Sequence, residues 1–270
     1  MRGATALVSQ RQDSLDVAFV IPRSGPEGIF GPSCEACGKL AVDEINSASG
    51  VLTRELRLHV VNGGQTPERV ARDVDALVRA GKVQAVAGWH ISAVRQQIDR
   101  VVAGRVPYVY STLYEGGERT EGVFLTGETP DRQVLPALTW MARELDVRTW
   151  CIVGDDYVWP RASARVARRF ARRSAGIRVL DEVFVPLGTE DFASAVRHVR
   201  GSGSRGVLMF LVGSDAVRFN RAFVAAGLGV TTMPGLALRS HHLDGVQATE
   251  LSVVRRIYLA TYGEDRKSVV

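Results

Sequence analysis

Lysine and cysteine are scarce in this chain. Lys39, Lys82 and Lys267 are the only lysines beside many arginines, and the three cysteines, an odd number, cannot form a disulfide framework. No stretch approaches the roughly 18 apolar residues of a membrane-spanning helix. Residues 1–15 hold only the short apolar patch Ala4–Val8, where a secretory leader carries an apolar core of about 7–15 residues. The chain as written is therefore expected in the cytoplasm, or outside it if a leader has been removed, with no direct membrane insertion. There is no phosphate-binding P-loop, no G-x-S-x-G elbow and no H-E-x-x-H. The one literal G-x-G-x-x-G, Gly201–Gly206, follows a helical pattern and opens a strand, the reverse of a dinucleotide fingerprint. His241-His242 has no third ligand at metal spacing. No cofactor and no metal are expected.

Two further signals have ordinary explanations. The formal charge is +5, from 34 basic and 29 acidic residues, and the isoelectric point is near 9.4. The signs are interspersed, and no helix-turn-helix, zinc finger or basic tail is legible, so nucleic acid is not an expected partner. The arginines of 161–173 read as the solvated face of a helix. Cys34-Glu-Ala-Cys37 is a C-x-x-C, but a long Gly/Pro loop separates it from the preceding strand, which a redox site would follow directly. Cys37 is expected as a small buried hydrophobe on the inner face of a helix, with Leu40, Ala41 and Ile45.

At 46% hydrophobic residues and mean hydropathy near zero, 270 residues can bury about two cores. The apolar runs Asp16–Pro22, Leu56–Val61, Val83–Gly88 and Val106–Tyr110 suit strands buried on both faces, and helical periodicities separate them. Thr66-Pro67-Glu68 is a helix start with cap, proline and acid in order. A polar segment, 119–130, reads as a crossing. The alternation then resumes with strands at Thr149–Val153, Ile177–Val185 and Gly206–Val212, and a last strand at Arg256–Tyr262. Such alternation predicts parallel sheets with right-handed crossovers. The expected fold is α/β: two Rossmann-like lobes joined by hinge crossovers, with 1–118 as the first lobe, 119–250 as the second, and 251–270 starting a return to the first.

In such folds ligands sit outside the carboxyl ends of strands. Those ends carry Ser92, then Tyr110, Ser111 and Thr112, then Tyr157 and Trp159, then Ser214 with Asp215. Helix capping explains Ser214 or Asp215 equally well. It does not explain Tyr110, Tyr114, Tyr157 and Trp159, whose flat faces and neutral hydrogen-bonding groups suit a small, polar, uncharged ligand. An enzyme, for instance an amidohydrolase using Cys34 or Asp156, is the rival class; no base stands at a readable spacing from either residue.

Tyr114-Glu-Gly-Gly-Glu118, Thr126-Gly-Glu-Thr-Pro-Asp131, Gly154-Asp-Asp-Tyr-Val-Trp-Pro-Arg161 and Glu182–Leu187 carry a resemblance that runs over nearly all of 16–262. The chain resembles type I periplasmic binding proteins of the leucine/isoleucine/valine class, and within them the short-chain amide and urea binders, including the cytoplasmic amide sensor of amidase expression. The resemblance implies a non-catalytic receptor. It places first-lobe ligand contacts on His90, Ser92, Tyr110 and Thr112, second-lobe contacts on Tyr157 and Trp159, and lobe closure about 119–130 and 248–256. His90 and Trp159 stand where the amide sensor has tyrosines. Pro234–Ser240 lacks the acid that amino-acid binders use for an α-ammonium group, which favours a neutral amide or urea over leucine. Implied partners are an ABC permease or a cytoplasmic regulatory protein, and a second copy of the chain. A branched-chain or other amino acid is the alternative ligand. The family runs longer than this chain, and the tail Arg266–Val270 matches nothing expected there, so a truncated carboxyl end is expected.

Overall fold

The computed structural model describes residues 14–228. Two parallel sheets organise them, as the alternation predicts. The first contains β1 (Ser14–Ile21), β2 (Glu55–Asn62), β3 (Ala85–Gly88), β4 (Tyr108–Tyr110) and β5 (Val123–Leu125), in the order β2-β1-β3-β4-β5. The second contains β6 (Thr149–Asp155), β7 (Arg178–Val185) and β8 (Gly206–Phe210), in the order β7-β6-β8. Seven helices make the crossovers: α1 (Gly31–Ser47), α2 (Pro67–Arg79), α3 (Ser92–Val102), α4 (Pro130–Glu144), α5 (Val158–Arg173), α6 (Ala193–Gly201) and α7 (Ser214–Ala225). The expected strand at Arg256–Tyr262, the hinge at 248–256, His241-His242 and Pro234–Ser240 lie outside the described residues.

β5 corrects the expectation of a plain crossing segment. Val123, Phe124 and Leu125 pair in parallel with Tyr108, Val109 and Tyr110, which places this stretch in the first sheet. Three residues among polar neighbours give no period-2 signal long enough to read. Their partners on β4 supply the order.

In the first lobe, α2 and α3 cover one sheet face. Val70, Val74, Val94 and Ile98 pack there on Ala18, Val20, Val61, Val86, Tyr108 and Tyr110. The opposite face carries α1, and it corrects a second expectation. Cys37 and Ala41 are exposed, and Leu40 is 59% exposed, whereas Gly38 is buried and Val42 and Ile45 are half-buried. Gly38 causes the rotation: a Cβ there would stand 2.6 Å from the Phe19 ring and 3.3 Å from Leu58 Cδ1. The glycine lets α1 lie directly on those two side chains, and the contact line passes through 38 rather than 37.

The second lobe is covered on both faces. Trp150, Ile152, Leu208 and Phe210 meet Leu138 and Met141 of α4 and Ala164, Ala167 and Ala171 of α5. Cys151, Val153 and Val207 meet Val196 and Val199 of α6 and Phe219 of α7. The alternation along β6 sends odd and even residues to different cores. The alanines of α5 leave its arginines outward, where Arg161, Arg165, Arg169, Arg172 and Arg173 are exposed.

All three cysteines are free, and their surroundings rank them. Burial raises the Cys34 thiol, with Cys37 beside it adding to the effect, and burial pushes the Cys151 thiol up to about 11. A chromogenic aromatic disulfide should therefore label Cys37 first and Cys34 more slowly, and reach Cys151 only on unfolding. Rapid labelling of all three in the folded protein would contradict this packing.

Candidate functional site

The strand order brings the carboxyl ends of β3 and β4 side by side, and the first-lobe candidates with them. His90 is fully buried, with Nε2 2.9 Å from the Tyr108 hydroxyl and Nδ1 3.3 Å from Ile91 O. A tyrosine O–H donating to Nε2 and an Nδ1–H donating to the carbonyl fit one neutral tautomer. Burial lowers the imidazole to about 4, and the nearby Arg95 charge works in the same direction. The His90 side chain packs against both Tyr108 and Tyr110, with ring centroids 6.1 and 5.1 Å away.

Tyr110 is also fully buried. Its hydroxyl lies 2.9 Å from His90 O, 3.3 Å from Leu113 O and 3.5 Å from Ser92 Oγ. Burial pushes it up to about 12, so it is a neutral donor. Thr112 Oγ1 accepts from the His90 amide at 3.3 Å. His90, Ser92, Tyr110 and Thr112 form one uncharged, hydrogen-bonded cluster.

Tyr157 reaches this cluster from the second lobe. It is half-buried at the start of α5 and packs against the first-lobe core, as do Leu187 and Val212. Trp159 and Ser214 are held elsewhere. The Trp159 ring stands edge-on to Phe210 at 5.8 Å and belongs to the second-lobe core, 6.5 Å from the Tyr157 ring. Ser214 Oγ accepts from Arg218 at 3.2 Å in the first turn of α7. The structure therefore brings five of the seven candidates together.

The rival catalytic residues have other surroundings. Cys34 sits on α1, and Asp156 is exposed and paired with Arg161 at 2.8 Å. Among the described residues no group of three or more His, Cys, Asp or Glu side chains is placed to hold a metal ion.

Two charged groupings were missed by sequence reasoning. In the first, Arg95, 2% exposed, is ringed by Asp99, Glu115 and Glu118 and lies 5.7 Å over the Tyr110 ring. The i,i+4 spacing of Arg95 and Asp99 was the available signal. The glutamates come from the Tyr-Glu-Gly-Gly-Glu motif, whose partner no spacing reveals. Burial raises Asp99 to about 7, with Arg95 pulling it down and the two glutamates pushing it up. Burial would also raise Glu118, but hydrogen bonds from Thr120, Arg95 and the Arg119 amide hold it at about 2. Both terminal nitrogens of Arg95 are taken by these carboxylates, while its Nε is buried with no hydrogen-bond partner. The second grouping is Glu27, Asp155 and Asp215, all buried where the lobes meet.

Residues 14–265 match the family described as periplasmic binding protein. The Leu/Ile/Val-binding protein homolog 6 of Brucella melitensis is 25% identical over 219 residues, covering 80% of this chain and 56% of that protein. The chain spans little more than half the length of such curated relatives. Two solved structures share the fold. A solute binding protein of an ABC transporter from Rhodopseudomonas palustris, in complex with 3,4-dihydroxybenzoic acid, has a TM-score of 0.68 at 18% identity, covering 80% of this chain and 60% of its own. The branched-chain amino acid transporter substrate binding protein of Streptococcus pneumoniae, in complex with isoleucine, has a TM-score of 0.66 at 16% identity, covering 92% and 77%.

Arg95→Met leaves buried Asp99 and the half-buried Glu115 and Glu118 without their cation and should cost about 3–5 kcal/mol at neutral pH. Because burial raises Asp99 to about 7, acid neutralises that carboxylate first, and the deficit relative to the parent protein should shrink as pH falls below 7. Urea unfolding at neutral and at acid pH checks this; an equal deficit at both would mean that the arginine acts by packing alone.

Proposed function

The chain belongs to the periplasmic binding protein family, and on that premise we propose that it is a non-catalytic receptor whose two lobes close on a small neutral solute, an amide, urea or related compound. Proteins of this family are normally extracytoplasmic, which supports a transport receptor serving an ABC permease and lends nothing to a cytoplasmic sensor. The observation that carries the ligand class is the neutral cluster at the ends of β3 and β4, with Tyr157 laid on it from the other lobe. Its groups are hydroxyls and amides, and the terminal nitrogens of the adjacent Arg95 are taken by carboxylates. The three carboxylates around Arg95 disfavour an anionic ligand beside it.

In this reading Ser92 and Thr112 hydrogen-bond the carbonyl or amide, and Tyr157 closes over it. Tyr110 and His90 hold those partners in place from behind. Trp159 backs Tyr157 from the second-lobe core, and Ser214 stands at the far edge. A ligand that contacts both lobes stabilises the closed state selectively, and its binding shifts the population toward closure. Amino acids form the second reading, favoured by the Leu/Ile/Val-binding name of the Brucella relatives.

Calorimetry separates the two. For a ligand of about four heavy atoms, a ceiling of about 1.5 kcal/mol per atom gives roughly 6 kcal/mol, or a Kd no tighter than about 10⁻⁵ M. Acetamide, propionamide, formamide or urea should bind in that range, and Tyr157→Phe should weaken binding severalfold without changing the fold. Tight binding of leucine or valine with silence toward every amide would replace the first reading by the second. Steady release of ammonia from acetamide would overturn both.

A further inference from the structure

Beside the neutral cluster, the lobes touch through a seam of backbone. The 3₁₀ turn Pro26–Phe30, between β1 and α1, lies against the loops that follow β7 and β8. Gly213 has φ of 58°, and a Cβ built on it would stand 2.1 Å from Pro26 O and 3.0 Å from Glu27 Cα. One built on Gly188 would meet Pro26 Cγ at 3.6 Å. Only glycine fits at 213, because the two backbones occupy the space of a side chain.

Three carboxyl groups are shut inside this seam. Glu27 comes from the first lobe and is 4% exposed; Asp155, at the end of β6, and Asp215, in the first turn of α7, are fully buried. Asp155 Oδ2 accepts from the Val212 amide at 2.8 Å, and Asp215 Oδ2 from the Gly188 amide at 2.6 Å. Glu27 Oε1 and Asp155 Oδ1 are buried with no hydrogen-bond partner. Among the described residues, the cation recorded on the cluster is Arg218, whose Nη1 is 3.2 Å from Asp215 Oδ1. Tyr157 faces the same carboxylates from α5. On the side of α1, Glu35 is already paired with Arg23 at 2.7 Å.

One arginine does not neutralise three carboxylates, and a buried anion without a donor is strongly unfavourable. Gly213 packs directly on Pro26 beside these groups, which disfavours a bulky neutraliser. A proton fits, and it converts an acceptor-only carboxylate into a donor, which gives an orphaned oxygen a bond to make. We propose that closure of the two lobes is linked to proton uptake at Glu27, Asp155 and Asp215, so that the closed form is favoured in acid and released as pH rises.

Glu27 is the group whose surroundings closure changes most, because Asp155 and Asp215 already share the second lobe. Burial raises Glu27 to about 7, opposed by its own backbone hydrogen bond and assisted by the Asp215 charge. Burial also raises both aspartates. A carboxyl group that holds its proton more tightly in the closed form stabilises that form fully below its ordinary pKa. The stabilisation disappears as pH climbs through about 7.

The proposal rests on the reading of a closing receptor and is independent of which solute is bound. Small-angle X-ray scattering of the full chain without ligand, from about pH 5 to about pH 9, tests it, with circular dichroism confirming the fold at each point. The radius of gyration should rise with pH around 7 in the parent protein. Glu27→Gln should stay compact across the range, and Asp155→Asn should weaken the pH dependence. A parent radius that does not change with pH, or a Glu27→Gln variant that follows the parent curve, would overturn the proposal. Adding saturating acetamide tells the two ideas apart. Compaction by acetamide with no response to pH sinks the proton link and keeps the amide receptor; a response to pH alone does the reverse.

Discussion

A parallel sheet covered by helices has only its strand ends to offer to a ligand, and this constraint organises the whole molecule. The strand interiors are given over to packing: Trp150, Ile152 and Phe210 to one core, Cys151, Val153 and Val207 to another, and Ala18, Val20 and Val86 to a third. Polar side chains that would be costly in those layers gather where the strands stop. The order β2-β1-β3-β4-β5 then decides which of them meet. His90 and Tyr110 are 20 positions apart in the chain, yet the pairing of β3 with β4 places the Tyr110 hydroxyl on the His90 carbonyl.

What the sequence discloses follows from the range of each interaction. Long buried strands and amphipathic helices leave a local periodic record, so every strand of the two sheets except the three-residue β5 could be read, with the helical segments between them. The strand-end candidates were readable for the same reason, since they are defined by position along the chain. The direction in which a side chain points carries no such record. His90 and Tyr110 have the residue types of a ligand site, but their polar atoms are spent on Tyr108 and on backbone carbonyls. Trp159 has the aromatic character of a lid and packs on Phe210 instead. The rotation of α1 came from a missing side chain at Gly38, and a pattern of apolar residues does not register a close approach that an absence makes possible.

Charge was harder still to read, because burial alters what a charge is worth and burial is not local. The sequence shows interspersed acids and arginines, which reads as solvated surface. Most of them are, as with the outer arginines of α5. Two groups are different. Arg95 gathers Asp99, Glu115 and Glu118 from α3 and from the loop after β4. It thereby fastens that loop to a helix beneath the Tyr110 ring. The segment 119–130, which reads as a crossing, is held just before its start by this arginine at Glu115 and Glu118 and within it by β5 at 123–125. Along this connection, the residues left outside the first sheet lie between Leu125 and the start of α4 at Pro130.

The two acid groups also differ in what they ask of the fold. The Arg95 knot is contained within the first lobe, so its charges meet whether the lobes are open or closed, and its balance is set once, on folding. The seam at Gly213 is divided between lobes, with Glu27 on one side and Asp155 and Asp215 on the other. In the proposed closing receptor, the part of its electrostatic cost that comes from Glu27 meeting the two aspartates arises only on closure, since Asp155 and Asp215 share a lobe in either state. A cost incurred in one state and absent from the other biases the equilibrium between them, whatever else stabilises each. The same buried carboxylate chemistry thus fixes the architecture in one place and conditions movement in the other. The difference lies in whether the partners share a lobe.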